Sequence, residues 1–234
     1  VAPMSSRSYA ISHGVVAPLS KLLWRPIITG TENVPPHGGV LLASNHLSFI
    51  DSFAIPIAAP RPVSFLAKSD YFTGTGVSGS IRRAFFEGTN AIPVNRHSSR
   101  AAQESLDAAL VVLREGRAFG IYPEGTRSRD GRLYKGRTGV AWLALTAGVP
   151  IVPVGLIGTD KVQPIGGHFP RLAKVHVSFG RPISPQAYAG MPSGKARRML
   201  TDEVMDAIAA LSGQERVDAY NELPPGSTGA AVGI

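Results

Sequence analysis

The run Asn45-His46-Leu47-Ser48-Phe49-Ile50-Asp51 sets an imidazole five residues ahead of a carboxylate. A carboxylate that accepts a hydrogen bond from one ring nitrogen fixes the tautomer and leaves the other nitrogen to take a proton from a hydroxyl. Five residues amount to about 140° around an ideal helix, so His46 and Asp51 cannot meet along one helix face. A loop or a first helical turn must bring them together. The same residues also fit a capping arrangement, with Ser48 and Asp51 on helix N-terminal amides and His46 merely buried.

A second group is Tyr122-Pro123-Glu124-Gly125-Thr126-Arg127-Ser128. Gly125 permits a tight turn whose amides could face an anion, and the planar fork of Arg127 suits phosphate. A turn closed by a surface ion pair between Glu124 and Arg127 is the alternative. Lys68 and Arg96 each follow a short apolar run, Phe65–Ala67 and Ile92–Val94. Cations repeated at one sheet edge converge, and a shared anion accounts for that better than chance solvated charge. Lys135 with Gly136 extends the same surface, whereas Arg82, Arg83, Arg197 and Arg198 read as solvated helix faces. The six His show no short metal-ligand spacing, there is no Cys, and no Gly-rich loop ends in Gly-Lys-Ser or Gly-Lys-Thr.

The elements that must position these groups alternate along the chain. Val40–Ala43, Val63–Ala67, Ala91–Val94, Ala118–Tyr122, Ile151–Leu156 and Val175–Phe179 predict strands. Ser52–Ala59, Val77–Phe86, Arg100–Arg114, Thr138–Ala147 and Lys195–Leu211 predict helices. The fold class expected is α/β, a mostly parallel central sheet flanked by helices, with ligands beyond the carboxyl ends of the strands, where His46 and Glu124 fall. The uncharged stretch Thr138–Thr159 is long enough for a membrane span, but Gly148, Pro150 and Pro153 interrupt it, so a helix ending near Ala147 and a buried strand are expected instead. Within Ser8–Ile28, Ile11, Val15, Val16, Leu19, Leu22 and Leu23 share one arc, with Lys21 and Arg25 elsewhere and Trp24 on the flank. Pro18 divides this stretch into two short amphipathic helices that dock on a membrane or pack on their own domain. The expected organisation is residues 1–28 as this segment, 29–212 as the α/β domain and 213–234 as a C-terminal tail.

Composition bounds the partners. The 234 residues carry 24 Lys and Arg against 16 Asp and Glu, a formal charge of +8, which favours an anionic partner such as phospholipid, a phosphorylated metabolite or nucleic acid. The basic and aromatic stripe of single-strand binders is missing, which argues against nucleic acid. The lack of Cys fits a reducing compartment, and the N-terminal residues do not have the pattern of a signal peptide.

Together these blocks resemble the glycerolipid acyltransferase family, specifically the bacterial 1-acylglycerol-3-phosphate acyltransferases, over roughly Gly30–Leu211. Asn45–Asp51 matches the family's Asn-His-x-Ser-x-x-Asp block, Asn90–Arg96 its second block, Tyr122–Ser128 its Pro-Glu-Gly-Thr-Arg block, and Val149–Val154 its Val-Pro-Ile-x-Pro-Val block. The resemblance implies His46 as general base, Asp51 as its orienter, and Lys68, Arg96, Glu124, Gly125, Thr126 and Arg127 as substrate-binding residues around the acceptor's phosphate. It also implies an acyl-CoA or acyl-carrier-protein donor, a lysophospholipid acceptor, no metal or other cofactor, and a place at the cytoplasmic face of a membrane. Tyr122 stands where the family usually has Phe, and Asn95 where an acidic residue usually precedes the arginine. The alternatives are an acyltransferase for another lysophospholipid or a glycolipid, or a noncatalytic basic peripheral membrane module.

Overall fold

Five consecutive residues, Val40–Ser44, are fully buried and form strand β2. A strand covered on both faces reads as an unbroken apolar run rather than an alternation. The computed structural model describes residue 18 and residues 24–68, 92–94, 101–165, 167 and 170–222, with residues 67–68 and 92–94 as backbone only. In it Leu41 and Ala43 join one core cluster while Val40 and Leu42 join another, as side chains of a pleated strand must.

Among the described residues the main sheet has six strands, in the order β1 (Ile27–Thr29), β9 (His176–Phe179), β8 (Ile151–Ile157), β2, β6 (Ala118–Ile121) and β3 (Val63–Ser64). Strand β2 lies between two parallel neighbours, with Leu41 opposite both Phe119 and Ile151. Strand β9 runs antiparallel to β8, and β1 is parallel to β9. The mostly parallel sheet expected from the sequence is therefore present, with two reversed strands at one side.

Helices α2 (Ala101–Arg114), α3 (Gly139–Ala147) and α5 (Ser193–Ser212) cover one face, and the short α4 (Thr159–Val162) follows β8. On α5, Leu200, Val204, Met205 and Ile208 form the buried stripe, a spacing that repeats with the helical turn. The opposite face receives Ile55 and Ala58 of α1 (Asp51–Ala58) against Val40, Leu42, Val152, Val154 and Leu156. The long uncharged stretch divides as expected: α3 ends at Ala147, Gly148 takes the left-handed conformation with φ 67°, and β8 starts at Ile151. No described helix is long and apolar enough to cross a membrane.

Three departures from the sequence reading matter for the site. The run Val63–Ala67 divides, because β4 (Leu66–Lys68) leaves the main sheet to pair with β5 (Ile92–Val94). Between the two pieces, the Phe65 ring occupies the space above Gly120, where an added Cβ would lie 2.0 Å from Phe65 Cζ. The boundary at residue 29 also moves, since Ile27 already pairs with His176 and its N–H donates to Val175. Finally, residues 213–222 are no tail. Strand β10 (Arg216–Val217) pairs with β7 (Leu133–Tyr134), and Gly213 caps α5 in the left-handed conformation. The helix expected over Val77–Phe86, most of the N-terminal amphipathic segment and the tail Pro224–Ile234 lie outside the described residues.

Candidate active site

Where β2 ends at Ser44, the side chain of Asn45 does what another strand residue would do. Its Nδ2 donates to Leu156 O at 2.9 Å and its Oδ1 accepts from Leu156 N at 2.8 Å, so both backbone groups of Leu156 are satisfied by one amide. Nδ2 also reaches Gln214 Oε1 at 2.7 Å. The chain is thus fixed at the residue before His46.

The bend ahead of α1 then closes the five-residue gap. His46 Nδ1 lies 2.8 Å from Asp51 Oδ2, and the same oxygen accepts from Leu47 N at 2.7 Å and Ser48 N at 2.8 Å. Asp51 is the first residue of α1, yet its carboxylate reaches back to amides that precede the helix, which separates this arrangement from an N-cap. Ser48 Oγ donates elsewhere, to Gln163 O at 2.8 Å. With Asp51 on Nδ1, the opposite nitrogen, Nε2, is the one that can exchange a proton with a hydroxyl. The imidazole is fully buried and stacked on Tyr122, with centroids 3.9 Å apart and an interplanar angle of 9°. Tyr122 bears its extra hydroxyl without penalty because Ser52 Oγ lies 3.0 Å away. Burial, seconded by the charge of Asp51, holds that phenol well above its ordinary pKa and so keeps it neutral.

The turn after β6 grips the backbone of His46 from both sides. Glu124 Oε1 accepts from His46 N at 3.3 Å, and Ser128 N donates to His46 O at 2.8 Å. Between these grips Gly125 has φ 80°, a conformation that requires glycine, and its N–H closes the turn on Tyr122 O at 3.0 Å. Glu124 is fully buried, and its second oxygen accepts from Tyr134 N at 2.9 Å. The surface ion pair with Arg127 is not formed, and Glu124 braces His46 instead of facing outward as a substrate contact would. Burial pushes its carboxyl up to about 7 against the pull of the two amides, with the charges of Asp51 and Asp130 adding to the rise.

Thr126 is buried, whereas Gly125 and Arg127 are half-buried on the same turn. Arg127 is anchored through its carbonyl, which accepts from Asn221 Nδ2 at 3.1 Å, and among the described residues its guanidinium has no carboxylate partner. The backbone of Lys68 ends β4, and Arg96 lies outside the described residues. Among the described residues no three His, Asp or Glu side chains are grouped to hold a metal ion. Sequence reasoning did not single out Asn45 or Gln214 for a role. An Asn at a strand end is a usable signal for the first, but nothing local marks the second, 169 residues away.

Residues 25–157 match the model of the family described as Acyltransferase. A chloroplastic 1-acyl-sn-glycerol-3-phosphate acyltransferase of Brassica napus is 28% identical over 78% of this chain and 49% of its own length. The 1-acyl-sn-glycerol-3-phosphate acyltransferase of Borreliella burgdorferi is 34% identical over 58% of this chain and 52% of its own. The chain thus spans about half the length of these curated relatives. In structure it resembles the 1-acyl-sn-glycerophosphate acyltransferase PlsC from Thermotoga maritima, with a TM-score of 0.63 over 88% of this chain and 85% of that one at 23% identity, a likeness of fold.

Proposed function

This chain belongs to the acyltransferase family, and on that premise we propose that it transfers a fatty acyl group from acyl-CoA or acyl-carrier protein to a hydroxyl of lysophosphatidic acid, giving phosphatidic acid. The observation that carries the reading is the contact of His46 Nδ1 with Asp51 Oδ2 at 2.8 Å, at the carboxyl end of a central parallel strand. The names of the relatives support the acceptor. His46 Nε2 takes the proton of the acceptor hydroxyl as its oxygen bonds to the thioester carbonyl carbon. The carbon–sulfur bond then breaks, and the departing thiolate recovers the proton from the imidazolium. No acyl-enzyme is required, because a thiol leaves readily. Asp51 fixes the tautomer and stabilises the cation that forms. Arg127 receives the acceptor's phosphate, and Lys68, Arg96 and the turn residues Gly125 and Thr126 contribute to binding it. The N-terminal amphipathic segment docks the enzyme at the cytoplasmic face of a membrane, where its acceptor resides.

The test is thiol release from acyl-CoA and acyl-carrier protein, each with lysophosphatidic acid in vesicles and product identified by mass spectrometry. Phosphatidic acid should form, and His46→Ala should lower turnover by roughly a hundredfold to ten-thousandfold without unfolding the domain. Preferred transfer to another lysophospholipid or to a glycolipid would replace the acceptor, and release of thiol that ignores every acceptor would overturn the reaction.

A further inference from the structure

The residues that follow the Gly125 turn form a second cationic position. Arg132 pairs with Asp130 at 2.6 Å, Lys135 with Asp218 at 2.8 Å and Arg198 with Asp202 at 2.5 Å. Arg137 differs. Among the described residues it has no carboxylate partner, yet its guanidinium is held. Its carbon Cζ sits 5.3 Å from the centroid of Tyr220, and the backbone beneath it is fixed, the Arg137 amide N–H donating to Pro123 O at 2.7 Å. The side chain lies directly over the turn: a Cβ added to Gly125 would lie 3.0 Å from Arg137 Nε and 3.2 Å from Cδ. Gly125 stands inside the span whose two ends, Glu124 and Ser128, clasp the backbone of His46. The ring beneath Arg137 is fixed in turn, because its neighbours in the C-terminal stretch are tied to the same loop. Ala219 O accepts from Lys135 N at 2.9 Å, and Asn221 Nδ2 donates to Arg127 O at 3.1 Å.

We propose that Arg137, stacked on Tyr220 and laid over Gly125, is a substrate-binding residue that takes a phosphate group beside Arg127. An exposed arginine with no carboxylate nearby ordinarily wanders, losing its rotamer entropy only on binding. Here the contact of Cζ with the aromatic ring and of Nε and Cδ with the Gly125 turn has already restrained the side chain, which lowers the cost of gripping an anion. The proposal rests on the acyl-transfer reading. Tyr220 acts through Arg137 and is a positioning residue. Two sources offer the same chemistry, the phosphomonoester of the acceptor and the phosphates of the donor's carrier.

The experiment compares wild type with Arg137→Ala and Arg137→Lys in three pairings: acyl-CoA with lysophosphatidic acid, acyl-CoA with monoacylglycerol, and a phosphate-free N-acetylcysteamine thioester with lysophosphatidic acid. A loss of kcat/KM on the order of tenfold in the first pairing is expected for Arg137→Ala, with partial recovery in Arg137→Lys. If the acceptor supplies the phosphate, the loss shrinks with monoacylglycerol; if the donor does, it shrinks with the phosphate-free thioester. Tyr220→Ala should raise KM for the phosphate-bearing partner while leaving kcat within about twofold. An equal loss in all three pairings, or no loss, overturns the proposal. Wild type failing to make phosphatidic acid would instead overturn the acyl-transfer reading. Arg137→Gln replaces Arg137→Ala if the latter melts at lower temperature.

Discussion

Replacing Asp51 by Asn separates the shape of the dyad from its charge. Asp51 Oδ2 accepts from His46 Nδ1 and the amides of Leu47 and Ser48, so the Asn side chain must put its oxygen there to avoid facing three N–H donors. Its NH2 then takes the place of Oδ1, a buried atom with no hydrogen-bond partner among the described residues. That leaves buried donors unsatisfied, a loss of about 1 to 3 kcal/mol in stability. Geometry and tautomer survive, but the imidazolium formed during proton transfer no longer has an anion beside it. Two unit charges about 4 Å apart at an effective dielectric of about 20 interact by about 4 kcal/mol, which corresponds to roughly a thousandfold in rate. Initial rates of acceptor-dependent thiol release at saturating donor, with thermal unfolding run in parallel, should show both losses. A folded Asp51→Asn enzyme working within about fivefold of wild type would refute the role assigned to the carboxylate.

Arg127→Ala should weaken use of lysophosphatidic acid by roughly tenfold or more, since a charged hydrogen bond contributes about 1.5 to 3 kcal/mol, while transfer to monoacylglycerol changes far less. Equal losses with both acceptors would place Arg127 in support of the fold. Glu124 binds a proton more tightly in the folded chain, about 7 against an ordinary 4.5, so its stabilising contribution is complete below pH 4.5 and is lost as pH rises through about 7. Urea titrations should show wild type losing up to about 3 kcal/mol relative to Glu124→Gln across that window, and a difference independent of pH would contradict the burial argument. Removing residues 1–23, which spares β1, should reduce cosedimentation with anionic vesicles several-fold; undiminished binding by the folded remainder would move the docking surface elsewhere.

Most of the sheet was legible because long apolar runs and helical stripes carry their own periodicity. Val40–Ala43, Ala118–Tyr122 and the helices through Arg114, Ala147 and Leu211 fall within a few residues of the observed elements. The pairing of His46 with Asp51 was legible as a possibility, since residue types and spacing restrict what a loop can join. What escaped is short or nonlocal. Strands β1, β7 and β10, of two or three residues, leave no alternation to read. Glu124 was read as a substrate-binding residue, with a surface ion pair to Arg127 as the alternative, and both readings leave it accessible because carboxylates are rarely buried. Its true setting depends on the amides of His46 and Tyr134, which only folding brings to it. The polar stretch after residue 212 looks like a tail until Gln214 bridges Asn45 and Gly131, a contact with no local signature.

The reversed polarity of β9 and β1 decides where the chain enters the sheet. A strand that runs against β2, β6 and β8 begins at the rim where those strands finish. Residues ahead of Ile27 therefore join the domain on the side of His46 and Gly125, and Trp24 marks that address, its Nε1 donating to Arg171 O at 2.9 Å while Arg171 N donates to Val162 O beyond the end of β8. Had β1 been parallel to β2, the same amphipathic stretch would have hung from the far rim. As built, any lipid contact made by that stretch would draw the bilayer to the rim that carries His46, and under the reaction proposed above a two-tailed product would return to its leaflet without crossing water.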